Sequence, residues 1–175
     1  MKPKEFFEKL DAEGMKGVIE FIDGPVDSSI RVEPAELPRI LAFLKDDPNC
    51  RLDQLSLVSG VEYEDRFECV YHLLSTKLLH DLVIKVHLDK NAPCVPTVSD
   101  VHPTANWHER ETWDLVGIRF EGHPDPRRIY LPADWEGHPL QRDYVFPNEY
   151  NGLPLTDQHG PVKKAEEGPS ETTES

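Results

Sequence analysis

LDQLSLVSGVEYEDRFECVYHLLSTKLLHDLVIKVHL, from Leu52 to Leu88, is the stretch that decides the fold. In its last part Leu82, Ile84, Val86 and Leu88 alternate with Val83, Lys85 and His87, the period of a strand that buries one face of a sheet. Two further strands are predicted before it, Leu52 to Val58 and Arg66 to Ser75, with Tyr63 to Asp65 as the polar turn between them.

Working outward, Pro3 to Glu13 reads as a helix with Phe6, Phe7 and Leu10 on one stripe and Gly14 just past its end. Gly17 to Asp23 and Ser28 to Val32 are strand candidates separated by the Gly24-Pro25 turn signal. Pro34 to Asp46 carries Leu37, Ile40, Leu41 and Leu44 at helical spacing and stops before Pro48. This order of helices and strands argues for an α+β fold: a two-layer domain with a mixed sheet covered by helices, residues 1–143. An extended C-terminal arm, residues 144–175, follows it. Tyr144, Val145, Phe146, Tyr150, Leu153 and Leu155 are too apolar to leave in water, so the arm is expected to lie on a partner, with its last fifteen or so acidic residues disordered when free.

The chain has 175 residues and a net charge of -14, the wrong sign for a general nucleic-acid binder or for docking on anionic lipid. No apolar run is long enough to span a bilayer, so membrane contact is expected only through partners. The first residues have no signal-peptide or transit-peptide character, which makes a cytoplasmic location the expectation. Cys50, Cys69 and Cys94 are odd in number and in no CxxC spacing, as expected of reduced, mostly buried thiols. His72, His80 and His87 are read as solvent-facing or hydrogen-bonded, because they form no cluster with metal-ligand spacing.

Residues 107–143 hold eight acids against five bases, all of them arginine. Guanidinium forks pair with carboxylates even when partly buried, so this block reads as an ionic network. His108-Glu109 could begin a zinc-protease HExxH motif, but the second ligand position is Thr112, and the reading fails. No P-loop, GxGxxG or serine nucleophile elbow is present. A helix over Thr104 to Val116 places Ala105, Glu109, Thr112, Trp113 and Val116 on one face, with Trp107, Arg110, Glu111 and Asp114 opposite. Arg110 and Asp114 are then an i,i+4 pair, and Glu109, on an apolar face, is expected to pair with Arg119, Arg127 or Arg128. Gly117 closes the helix, Ile118 to Phe120 can form a short strand, and the turns at Gly122-His123-Pro124 and Gly137-His138-Pro139 follow. Trp135, His138, Arg142, Tyr144, Phe146 and Tyr150 are the expected partner interface.

The run ANWHERETWDLVGIRFEGHPDPRRIYLPADWEGHPLQRDY, Ala105 to Tyr144, closely resembles the signature of the C subunit of the proton-pumping NADH:quinone oxidoreductase, respiratory complex I. The resemblance extends weakly upstream and covers about residues 50 to 147. Departures are modest: Asp125-Pro126 stands where a leucine usually precedes the arginines, Tyr130 replaces an aliphatic residue, Ala133 an acid, Gln141-Arg142 an Arg-Lys pair, and Glu62 an Asp. None removes a catalytic group, because this family is not known to carry one.

The resemblance implies a cofactor-free scaffold with no catalytic, cofactor-binding or metal-ligating residues of its own. NAD, FMN, iron-sulfur clusters and quinone belong to the complex. It implies packing against the quinone-site D subunit and neighbouring iron-sulfur subunits, peripherally on the cytoplasmic side of the bacterial inner membrane. The structural network would comprise Glu109, Arg110, Asp114, Arg119, Arg127 and Arg128. The equivalent subunit of a membrane-bound hydrogenase shares the signature, and a free-standing metal hydrolase built on the histidines is the rival from another class.

Overall fold

The computed structural model describes residues 1–25 and 27–155. The chain divides into two compact units, Met1–Tyr144 and Val145–Ser175. The first holds α1 (Pro3–Ala12), β1 (Val18–Ile22), β2 (Ser29–Val32), a 3-10 turn at Pro34–Glu36, α2 (Leu37–Asp46), β3 (Gln54–Glu62), β4 (Arg66–Leu74), β5 (Asp81–Asp89), β6 (Cys94–Pro96), α3 (Ala105–Val116) and β7 (Arg119–Glu121). Five strands form one sheet in the order β1-β2-β5-β4-β3, in which only β2 and β5 run parallel. It is therefore mixed, as expected.

Alternation decides which face is core. Phe67, Cys69, Tyr71 and Leu73 of β4 sit opposite Leu88, Val86, Ile84 and Leu82 of β5, and all eight are buried. Phe6 and Leu10 of α1, Ile40 and Leu44 of α2, and Ala105 and Val116 of α3 join the same cluster. Each such side chain contributes about 1.5 to 3 kcal/mol on full burial. Burial also pushes the Cys50 and Cys69 thiols up to about 12. On the opposite face Glu68 accepts from His87 Nε2 at 2.9 Å and lies 3.2 Å from Lys85 Nζ, while Arg31 donates to His87 Nδ1 at 3.2 Å. Because arginine can only donate, His87 carries its proton on Nε2.

The structure departs from the sequence reading in four places. β3 starts later and continues through Gly60 to Glu62, because a glycine there lets α3 approach: a Cβ on Gly60 would lie 2.8 Å from Thr112 Cγ2 and 2.9 Å from Ile118 Cδ1. The helix read from Pro34 opens with a 3-10 turn before α2. β6, which the prolines at 93 and 96 conceal, pairs in parallel with β7. In the second unit the arm is not extended throughout. β8 (Glu149–Tyr150) and β9 (Leu153–Pro154) form a hairpin over Asn151-Gly152, both at positive φ as a type I′ turn requires. The expected disorder of the last residues lies outside the described residues.

Candidate functional site

The site is built on α3. Four carbonyls at a helix C-terminus have no intrahelical donor, and here every one of them finds a partner. Trp113 O takes the Gly117 N–H at 2.9 Å, and the left-handed φ of 88° at Gly117 then turns the chain out of the helix. Asp114 O accepts from Arg128 Nη1 at 3.2 Å and from His138 Nδ1 at 2.9 Å. Leu115 O takes the Leu140 N–H at 2.9 Å, and Val116 O takes Gln141 Nε2 at 2.9 Å. The segment 138–141 thus caps the helix, and the Arg128 guanidinium adds the positive charge that a helix C-terminus favours.

Asp114 is the other half of this clamp. Its fully buried carboxylate accepts from Arg128 Nη1 at 2.6 Å through Oδ1, and from the successive N–H groups of Ile129, Tyr130 and Leu131 at 2.9, 2.8 and 3.1 Å through Oδ2. Burial alone would raise the carboxyl's pKa, but the Arg128 bond and three backbone donors outweigh it and hold it below the usual range. Arg128 also donates through Nη2 to Trp135 O at 2.9 Å and Gly137 O at 3.0 Å, with its guanidinium over the Trp113 ring. One ion pair therefore joins α3, the 129–131 segment and the 135–137 turn.

The expected i,i+4 pair of Arg110 with Asp114 does not form. Arg110 donates to Arg127 O at 3.0 Å, lies 3.5 Å from Asp125 and stacks over Trp107. The 125–131 segment covers this face of the helix, so both side chains are buried and find partners across space. Arg127 makes a bidentate pair with Asp125 at 2.6 and 2.8 Å, and Arg119 is exposed with no ion-pair partner among the described residues.

Glu109 corrects the sequence reading more sharply. No arginine reaches it: its carboxylate accepts from the Val98 N–H at 2.8 Å and from the Thr97 hydroxyl, with His123 Nε2 at 3.8 Å. His123 accepts the Asp125 N–H at Nδ1 and donates from Nε2 to Asn106 O at 3.1 Å. Burial pushes the Glu109 carboxyl up to about 7, against the two hydrogen bonds that lower it and with Asp100 nearby raising it. The reason for the missed pairing is competition: Arg128 gains more from Asp114 and two carbonyls than from Glu109. Thr97 and Val98 carry no signal in sequence because they act from a loop beside β6.

A cavity of about 460 Å³ opens beside Glu109, walled by Arg110, Trp113, Arg119, Phe120 and His123. Glu109 also lines this cavity, although its side chain is fully buried and its carboxylate is engaged by Thr97 and Val98. Among the described residues no group of three or more His, Cys, Asp or Glu side chains is placed to hold a metal ion.

Of the expected interface residues, Trp135 donates through Nε1 to the Tyr144 hydroxyl at 2.9 Å, and His138 is spent on the helix cap. The Arg142 N–H donates to Glu62 at 2.7 Å, and its side chain stays exposed. Phe146 and Tyr150 belong to the second unit, where Phe146 is exposed and Tyr150 half-buried. Glu62, which also binds Lys90, stands out in sequence only as a departure from the family pattern, since its partner Arg142 lies 80 residues away.

The sequence pattern of the family described as the 30 Kd subunit of respiratory-chain NADH dehydrogenase matches residues 30–150. The chain belongs to this family. Relatives of this 30 Kd family member include the C subunit of NADH-quinone oxidoreductase from Roseiflexus castenholzii, 47% identical over 112 residues that make up 62% of this chain and 64% of that protein. The C 2 subunit of the same oxidoreductase from Rhizobium meliloti is 50% identical over 103 residues, 57% of this chain and 56% of that protein. The chain thus spans less than two thirds of the length of these relatives. Among solved structures, a trypsin-resistant fragment of Nqo5 superposes with a TM-score of 0.60 at 26% identity, over 71% of this chain and 99% of the fragment. A chain of the membrane-bound sulfane sulfur reductase, an archaeal respiratory membrane complex, has a TM-score of 0.56 at 24% identity over 69% of this chain and 71% of its own length, a likeness of fold alone.

Proposed function

We propose that this 30 Kd family chain is a cofactor-free scaffold subunit of the cytoplasmic arm of NADH:quinone oxidoreductase. In this reading residues 1–143 form the structural domain and residues 144–175 a partner-binding arm. The domain packs against the quinone-site D subunit and neighbouring iron-sulfur subunits, peripherally on the cytoplasmic side of the bacterial inner membrane. Electrons pass from NADH through FMN and iron-sulfur centres to quinone in those other subunits, coupled to proton translocation.

The observation that carries the reading is where the polar side chains of the family's signature go. Asp114, Arg128, His138 and Gln141 are consumed in capping α3 and fastening its two loops, so none is left converging on a reacting atom. Such a clamp gives a rigid surface of turns, which suits an interface. No helix among the described residues is long and apolar enough to cross a membrane, consistent with attachment through partners. The test is affinity purification of the tagged chain from native membranes in mild detergent. Co-purification of the quinone-site subunit is the expected result, and recovery of the chain alone overturns the proposal.

A further inference from the structure

The turn between β4 and β5, Thr76 to Leu79, places the most exposed large apolar side chain among the described residues at its tip. Leu79 is 85% exposed and Leu78 beside it 45%. Leu79 also has a φ of 54°, in the left-handed region that glycine and asparagine tolerate and leucine does not. Among the described residues only Arg51, at φ 45°, and Asn151 share this conformation without being glycine.

The fold brings the segments that carry Arg51 and Leu79 side by side. His80 Nε2 donates to Cys50 O at 2.6 Å, and Asp53 accepts from the Thr76 N–H at 2.8 Å and its hydroxyl at 2.6 Å. The residue 50–53 segment therefore lies against the turn. The turn itself is closed by Ser75 N–H to His80 O at 2.8 Å, Leu79 N–H to Ser75 O at 3.0 Å, and Leu78 N–H to the buried Ser75 hydroxyl at 3.1 Å. It is anchored at both ends and strained at Leu79, and the segment beside it is strained at Arg51. The closing geometry demands a left-handed residue at position 79 but does not demand leucine. Backbone strain held in place by its surroundings clusters where a protein contacts a ligand or partner.

We propose that this tip is a preorganised knob whose two leucines seat in an apolar pocket of a different protein subunit, with Lys77 and Arg51 meeting acceptors on the pocket rim. The inference deepens the scaffold reading and rests on it. A second copy of this chain is a poor occupant, because each copy carries a net charge of -14. An anionic lipid surface is a poor one too, since the chain's net charge of -14 repels its headgroups. An exposed apolar tip on an otherwise acidic chain has the composition of an interface centre.

Leu79→Asn separates interaction from structure. Asparagine relieves the strain while removing the apolar contact, so the melting temperature of the purified full chain should rise by about 2 to 4 °C. Recovery of partner subunits from native membranes should fall by about tenfold or more. Leu78→Ala/Leu79→Ala should lower recovery similarly without a gain in stability. A residue kept only for the fold would lose stability and leave assembly unchanged. Recovery of partners equal to that of the unmodified chain, with either variant, overturns the proposal. So does a variant whose only defect is in binding vesicles of anionic phospholipid. If the unmodified chain itself recovers no partner, the scaffold reading fails, and this inference fails with it.

Discussion

Asp114→Asn tests the clamp most directly. The substitution keeps shape and volume, and its amide oxygen can still accept the N–H groups of Ile129, Tyr130 and Leu131. The amide nitrogen, however, faces Arg128 Nη1 at the 2.6 Å of the present bond, donor against donor. A guanidinium only 11% exposed is left without its counter-charge. Breaking one partner of a buried ion pair costs about 3 to 5 kcal/mol, less where the orphan turns to solvent. Arg128 retains Trp135 O and Gly137 O, so about 3 kcal/mol is the expectation, and at about 2 to 4 °C per kcal/mol the melting temperature should fall by roughly 6 to 12 °C. Urea unfolding followed by tryptophan fluorescence is a suitable assay, because Trp113 and Trp135 both touch Arg128. Arg128→Met in the same background should cost less than the sum of the single changes, with a coupling of about 1 to 3 kcal/mol. A loss below about 1 kcal/mol for Asp114→Asn, or strict additivity of the pair, would refute the clamp as the element that fastens the loops.

Four other outcomes follow from the structure. Glu109 is raised in the folded state, so the unfolded chain ionises first and stability falls as pH climbs from about 4.5 to about 7; Glu109→Gln should therefore stabilise by about 1 to 3 kcal/mol at pH 8 and little at pH 5, measured by denaturant unfolding. Asp114 has the opposite sign, its carboxyl being held low, so its contribution is present above about pH 4 and disappears as pH falls through the lower folded value, an acid limb that Asp114→Asn should flatten. Gly60→Ala puts a methyl 2.8 Å from Thr112 Cγ2 and should lift α3 from β3 at a cost of about 1 to 3 kcal/mol, read from the urea midpoint. Deleting residues from Val145 onward, at the boundary of the first unit, should leave that unit's circular dichroism and cooperative melting intact and reduce assembly with partner subunits; unchanged assembly would show the arm to be dispensable.

Much of this protein was legible in its residue order. Alternation from Leu82 to Leu88 predicts β5 with its core face correctly, because a strand's two faces are set by neighbours two residues apart. The stripe in α2 and the helix stop at Gly117 are equally local, each depending on residues within one turn. The Ala105 to Tyr144 signature pointed to the family that the match over residues 30–150 establishes. Which carboxylate takes which arginine was decided only by tertiary structure. Asp114 and Glu109 sit on one helix with similar sequence surroundings, yet Arg128, fourteen residues beyond Asp114, lands on one and a threonine hydroxyl before the helix on the other. The outcome depends on where two proline-rich loops cross the helix, and the energy that selects it is desolvation against pairing at particular distances. The strain at Leu79 is of the same kind: the residue is visible in the sequence, but its left-handed backbone and exposed side chain follow from the closure of a turn against Asp53.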